Sequence, residues 1–372
     1  MEKAFQRHPG ASSVAPVWAL PVPLLPDELV SSWLVRAALA HGCDPMTLTG
    51  WIWPGWRIWT GDPDREIAPE RLNSLENISG ISASAFRLSF LRPVVESATE
   101  ERLETRRAWP WLLVLGARNR KRRGGLQFCP ACLREGIPYY KMQWRLAWHT
   151  ACEQHGTVLF DECPRCAAPV EPHRLEAGDS IRRCASCGFD LSESESHTAS
   201  GASLTFQRLG DTASVSGEGK FGGERISGYE WFKLIRCFLS LSRRASARPA
   251  SGTARIFERL GANIAGISPP ATGLAWEFLP TKERLALSEA TVPLLEAGPE
   301  KLLEAMLAEN LAASALLDRR IGAPDSLRHV LESLVQYRGR RAKPVLDRKG
   351  PCSRKVVERK FARLCRKAKN AS

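Results

Sequence analysis

The chain has 372 residues, 44% apolar and 25% charged, a balance that permits packed cores and excludes a wholly disordered or low-complexity protein. The net charge of +13 is concentrated at one end: Tyr337 to Ser372 holds fourteen Lys or Arg against two acids, and the remainder is nearly neutral. No run approaches the ~20 consecutive apolar residues of a membrane helix, and Lys3, Arg7 and His8 lead into no secretory apolar stretch, so the cytoplasm is expected and a membrane partner is not.

Residues 1–22 carry Pro and Ala without periodicity. Pro26-Asp27-Glu28 opens a helix with acids at its positive end, Leu29, Trp33 and Ala37 repeat at helical spacing, and Gly42 stops the run. Asp44-Pro45 caps a second helix through Met46, Leu48 and Ile52. The pattern returns from Pro69 to Leu91: Leu72, Leu75 and Ile78 form one stripe, Gly80 breaks it, and Ser82 caps a helix with Ala85, Phe86 and Leu88. Residues 1–110 thus read as a helical domain with two helix-turn-helix-like units, suited to reading DNA or simply to packing. Between the units Trp51, Trp53, Trp56 and Trp59 could stack on bases, but burial is the expected use, since each Trp removes roughly 200 Å² from water.

Residues 111–195 carry the clearest chemistry. Seven of the eleven cysteines lie between Cys129 and Cys187. One set is Cys129-Pro130-Ala131-Cys132 followed by Cys152-Glu153-Gln154-His155; the other is Cys163-Pro164-Arg165-Cys166 followed by Cys184-Ala185-Ser186-Cys187. A C-x-x-C turn lets two thiolates reach one ion, and two such turns close a tetrahedron. Cys₃His and Cys₄ shells leave no open position, which points to two structural zinc ions per chain; an iron–sulfur cluster is the alternative for the Cys₄ set. His155 is preferred over His149 as the fourth ligand of the first set, because its spacing mirrors the other pairs. His149 is expected to pack or face solvent, and His173 and His197 fall outside ligand spacing. The outlying Cys43, Cys237, Cys352 and Cys365 are expected as small buried hydrophobes. Just before the first pair, Arg118, Arg120, Lys121, Arg122 and Arg123 could grip phosphates or form a solvated loop. Tyr139 to Trp148 mixes aromatic and basic residues and could contact nucleic acid or pack on the first metal turn.

Residues 188–225 are rich in Ser, Gly and Glu and lack periodicity, so a linker is expected over 196–226. Gly217, Gly219 and Lys220 approach a phosphate-loop pattern, but Ser214 and Phe221 stand where Gly and Ser or Thr are needed. Helical patterns resume in a C-terminal domain, 227–372, at Tyr229–Arg244, Thr281–Glu296, Pro299–Arg320 and Asp325–Tyr337. A last helix, Ser353–Lys369, puts Val356, Phe361, Leu364 and Cys365 near one face. The basic tail is the footprint of a polyanion contact, with Arg340, Arg341, Lys343, Arg354, Lys355, Lys360 and Arg363 as candidate phosphate ligands, or else a solvated segment. The fold class is mainly α, with a central double zinc-knuckle module.

Phe128 to Leu133, Pro138-Tyr139-Tyr140, Trp144-Arg145-Leu146, Cys152, His155-Gly156, Cys163 to Cys166 and Pro169 resemble the TniQ family of transposition target-site selection proteins, a group related to TnsD. Glu28-Leu29 to Trp33-Leu34 and Trp59 to Arg65 are similar to it too, and the likeness spans roughly residues 20–190. The resemblance implies a non-catalytic adaptor of a bacterial transposon that selects the insertion site and joins target DNA to an AAA+ ATPase and a transposase. Some members read DNA directly and others dock on a guide-RNA complex; a homodimer is compatible with either. It places zinc on the eight ligands above, the helix-turn-helix role on the N-terminal units, and catalysis on no residue. The other function classes the sequence admits are a zinc-containing DNA-binding transcription regulator or scaffold, and a zinc-supported nuclease with an acidic or histidine centre outside the closed shells.

Overall fold

The computed structural model describes residues 18–104, 107–115, 125–264, 266–268, 274–317 and 322–334, and positions 354, 357, 358 and 361. The expected nucleic-acid residues Arg118, Arg120, Lys121, Arg122, Arg123, Arg340, Arg341, Lys343, Lys355, Lys360 and Arg363 lie outside them, as do Cys352 and Cys365. No helix of the described residues is long and apolar enough to cross a membrane.

The helix start expected at Pro26-Asp27-Glu28 is corrected: the first helix begins only at Val30, with no acid in its first turn. The reason is that Asp27 sits in a turn at φ 55°, and Glu28 is buried and paired with Arg36 at 2.6 Å. The later helix signals act where the sequence asks. α1 (Val30–Ala40) and α2 (Pro45–Ile52) form the first pair, and the Asp44 carboxylate accepts the Thr47 N–H at 2.8 Å to cap α2. α3 (Pro69–Ser79) begins on proline and ends at Gly80, whose φ of 72° is a left-handed stop. Ser82 caps α4 (Ala83–Leu88), accepting from Ala85 N–H. Trp33, Leu34, Leu48, Ile52, Leu72, Leu75 and Phe86 close a first core between these pairs, with Trp33 edge-on to Phe86 at 4.9 Å. The tryptophan run divides: Trp53 is buried, Trp56 and Trp59 are half-buried, and Trp51 is 55% exposed. Burial therefore fails for Trp51, because α2 buries its Pro45, Leu48, Thr49 and Ile52 face and leaves Trp51 outward.

A second core runs without interruption from Leu29 to Leu334 and takes in both the cysteine-rich middle and the C-terminal helices. α5 (Arg92–Ala98) enters it through Val95 and Ala98. α6 (Pro130–Arg134) and the short antiparallel pair β1 (Ala151–Cys152) and β2 (Thr157–Val158) form the metal-bearing middle, with Cys152 opposite Thr157. The expected linker corrects to packed structure: α7 (Gly201–Ser216) is followed by a hairpin of β3 (Glu218–Phe221) and β4 (Glu224–Ser227). Ser200 caps α7, and its buried face is Ser203, Phe206, Gln207, Gly210 and Ala213, too small and polar to register as an apolar stripe. A Cβ on Gly210 would lie 2.6 Å from the Trp148 ring, so glycine is what lets α7 rest there.

α8 (Gly228–Ser246), α9 (Gly252–Arg259) and α10 (Thr281–Ala308) complete the core, followed by α11 (Ala313–Leu316) and α12 (Arg328–Ser333). Gly298, at φ 74°, breaks α10 between the two predicted runs. Fully buried Arg284 of α10 ties this half to the middle: it donates to the carbonyls of Ala147 at 2.7 Å and His149 at 3.1 Å, and to Gln127 Oε1 at 2.8 Å. Burial, its largest influence, lowers its pKa to about 10, which leaves it charged near neutral pH. A buried cation satisfied by carbonyls fixes the register of the elements it joins.

Candidate metal centres

Each cage is built by short-range turns. Cys129 caps α6 and Cys132 lies within it, so the first pair sits on a helix start. The other three pairs are knuckles. The N–H of Gly156 donates to Cys152 O, that of Ala167 to Cys163 O and that of Gly188 to Cys184 O, each at 2.8 Å. The closing residues are left-handed, with φ of 61°, 54° and 71°; only the second uses a residue with a side chain, Ala167.

The cages gather the eight predicted ligands into two groups, Cys129, Cys132, Cys152 and His155, and Cys163, Cys166, Cys184 and Cys187, whose ligand atoms all lie within 4.8 Å of one another. Tetrahedral zinc with Zn–S of ~2.3 Å and Zn–N of ~2.0 Å requires sulfurs about 3.8 Å apart and sulfur–nitrogen gaps of about 3.5 Å. The first cage has Cys132–Cys152 at 3.6 Å and His155 Nδ1 at 3.5, 3.3 and 3.4 Å from Cys129, Cys132 and Cys152. The second has Cys163–Cys187 at 3.8 Å and Cys166–Cys184 at 3.7 Å. These gaps are far beyond the ~2.05 Å of a disulfide, and the thiols are free. The donor sets therefore fit a soft divalent ion, and both cages could hold one.

Electrostatics favours the same occupant. In the first cage hydrogen bonding with Cys132 drives the Cys129 thiol down, and the same contact drives Cys132 up. In the second, Cys187 falls to about 7, first through the Phe189 N–H, while burial pushes Cys166 up to about 12. Crowded thiolates repel, and a dication removes that conflict. His155 Nε2 lies 3.0 Å from Glu135 Oε1, so with Nδ1 turned to the sulfurs the Nε2–H donates to the carboxylate. Gln154 Nε2 holds the other Glu135 oxygen at 3.2 Å. A carboxylate behind a ligating histidine fixes its tautomer and ring orientation. Neither Glu135 nor Gln154 was singled out by sequence spacing; only nearness to the Cys₃His set could have flagged them.

His149 is no ligand. It is buried, with Nε2 2.7 Å from Asp211 Oδ1, which also accepts from Trp148 Nε1 at 2.8 Å. His173 stacks on Trp59 at 5.2 Å. Cys237 is buried as expected, and Cys43 is half-buried. Tyr140, Trp144, Arg145 and Trp148 are buried, so their segment packs rather than offering a contact surface.

Burial puts the segment to a different use. Arg145 meets Asp64 Oδ2 at 2.8 Å and Asp62 Oδ2 at 2.7 Å, and donates to Leu113 O at 2.9 Å. Asp64 also accepts from Ser31 N–H at 2.7 Å and Ser31 Oγ at 2.9 Å. Nearby, Leu29 N–H donates to Tyr140 O at 3.0 Å, Met142 N–H to Asp27 O at 2.7 Å, and Tyr140 N–H to Ser32 Oγ at 2.9 Å. These links key the first core to the metal-bearing middle through segments scattered from Asp27 to Arg145.

Cations on the N-terminal helices are sparse. The exposed residues of α2 are Met46, Thr47, Gly50 and Trp51; those of α4 are Ser84, Arg87 and Leu88. Of the tail candidates only Arg354 is described, exposed and paired with Glu358 at 2.9 Å. Among known families, the TniQ model matches residues 19–159, a stretch that holds the first helical core, the Arg145 network and the complete first cage. No curated protein matches the chain.

Proposed function

We propose, from the match of residues 19–159 to the TniQ family model, that this chain belongs to that family of transposition proteins and is a non-catalytic target-site selector. In this reading it holds target DNA on one side and an AAA+ ATPase and a transposase on the other. The observation that carries it is the overlap of the family stretch with a rigid unit: eight ligands in two closed cages, one inside that stretch, and a buried ionic joint binding the cage region to the helical pairs. Cys129, Cys132, Cys152 and His155 would hold one zinc ion, and Cys163, Cys166, Cys184 and Cys187 the second. Zinc there would crosslink loops that have few regular hydrogen bonds, and closed shells leave no position for water activation. The chain's own part is then presentation. Glu135 orients His155, Arg145 locks the helical pairs in place, and Arg284 holds the C-terminal helices against the middle. The phosphate contacts are assigned to the basic run at 118–123 and the tail from 337.

A reconstituted insertion assay with the element's ATPase and transposase tests the reading. Omitting this chain should scatter insertions away from the preferred site, and an unchanged insertion pattern would reject the selector role. Binding of target DNA should weaken steeply with salt, as phosphate contacts demand, and salt-independent binding would remove the nucleic-acid half of the reading.

A further inference from the structure

The two cages hold their ligands in different surroundings. In the first, Cys129 and Cys152 are buried and Cys132 is half-buried. Longer side chains stand against it: Thr157 Oγ1 lies 3.6 Å from the Cys129 sulfur, Gln154 Oε1 lies 3.8 Å from the Cys132 sulfur, and Glu135 backs His155. In the second cage Cys163 and Cys184 are buried, but Cys166 and Cys187, the last cysteine of each knuckle, are exposed. Their chain neighbours Ala167, Ser186 and Gly188 are exposed as well and have side chains too short to fold over a sulfur. Oxidation of cysteine follows thiolate character and access, so the second cage is where an oxidant arrives first.

The donor sets differ in chemistry too. The four cysteines of the second cage can leave as two disulfides, whereas Cys129, Cys132 and Cys152 can form one and strand a third thiol. The close sulfur pairs of the second cage run between its knuckles, Cys163–Cys187 at 3.8 Å and Cys166–Cys184 at 3.7 Å. Each therefore joins an exposed sulfur to a buried one, which sets a resolving thiolate beside each point of attack. Closing either gap to the ~2.05 Å of a disulfide moves the sulfurs by under about 2 Å.

We propose that the second cage is a reversible oxidation site, at which hydrogen peroxide converts four thiolates to two disulfides and frees the ion while the first cage stays intact. The thiolate of Cys166 or Cys187 attacks a peroxide oxygen; an S–O bond forms, the O–O bond breaks, and the departing hydroxide takes up a proton as water. The buried partner, Cys184 or Cys163, then attacks that sulfur; the S–S bond forms, the S–O bond breaks, and a second hydroxide leaves as water. Over both pairs the sulfurs lose four electrons, and two peroxides with four protons become four waters. The proposal rests on the two-ion reading of the cages and is independent of the selector role.

Peroxide treatment of the full zinc-loaded chain, with released zinc followed by the chromogenic chelator 4-(2-pyridylazo)resorcinol and the peptides then mass-analysed without reduction, tests this. One zinc per chain should be released at least about tenfold faster than the other, because exposure of the second cage and the carboxylate behind His155 act in the same direction. Disulfides should be confined to Cys163, Cys166, Cys184 and Cys187, and dithiothreitol with added zinc should restore two ions. Release of both ions at one rate, retention of both under peroxide, first-cage cysteines oxidised first, or sulfonic acids in place of disulfides would each overturn the proposal. A chain that holds no zinc before peroxide removes the cage reading and this proposal together, and leaves the selector role to its own insertion assay.

Discussion

Replacing Arg145 by methionine should remove a large part of the chain's stability, and the reason lies in what it leaves behind. The guanidinium is fully buried and pairs with both Asp62 and Asp64. Methionine fills similar volume but strands the Asp64 carboxylate out of water. Breaking a buried ion pair from one side costs about 3–5 kcal/mol, against a total of roughly 5–15 kcal/mol for a native domain. At about 2–4 °C per kcal/mol, the melting transition of zinc-loaded protein should fall by roughly 6–20 °C. Adding Asp64→Asn to Arg145→Met should recover at least half the loss, because the uncompensated charge goes too while Asp62 keeps its pair with Arg65. The wild-type pH dependence follows from the same joint. Burial, first, raises the Asp64 carboxyl to about 6 despite Arg145, while Arg145 holds Asp62 below the usual range. Between about pH 4 and 6 the folded chain then binds the Asp64 proton more tightly than the unfolded chain does. That site's contribution therefore declines as pH rises through this window and is constant above it, by at most about 3 kcal/mol. Subtracting the pH profile of Asp64→Asn from wild type isolates the term. A loss of stability under about 1 kcal/mol for Arg145→Met, or no rescue in the double variant, would refute a dry, charge-balanced joint.

Other expectations concern the cages. Gly188→Ala forces a left-handed alanine and should destabilise the second cage by about 1–2 kcal/mol, whereas Ala167→Gly should be neutral or stabilising by up to about 1 kcal/mol because Ala167 already has φ 54°. Denaturation of the two variants checks the opposite signs, and equal losses would contradict the knuckle geometry. Glu135→Gln keeps shape but weakens the hold on His155 Nε2–H, so a chelator should extract metal from the first cage up to about tenfold faster; the second cage should release at the wild-type rate, and an unaltered first cage would show that Glu135 is a bystander.

Sequence made some of this legible because the signals are local. The eight ligands follow from pair spacing, and the cages assemble them. α2, α3 and α4 were readable from Asp44, Gly80 and Ser82, which act within three or four residues. The α10 break was readable from Gly298-Pro299. What escaped depends on distance or on a neighbour's shape. α7 looked like a linker because Gly210 and the serines that suit its place under Trp148 also suit a loop. Arg145 reaches carboxylates more than eighty positions earlier, and Arg284 reaches carbonyls more than 130 positions earlier. No periodicity records such pairings. Trp51 and Trp53 are two residues apart and have opposite fates: Trp51 lies on the exposed face of α2, whereas Trp53 follows that helix and donates Nε1–H to Arg71 O of α3.

Elemental analysis of the purified full-length chain, with Cys132→Ser and Cys184→Ser alongside, bears on the central claim most directly. Two zinc ions per wild-type chain and one in each variant are predicted; a wild-type chain devoid of zinc, or variants that keep both ions, would contradict it.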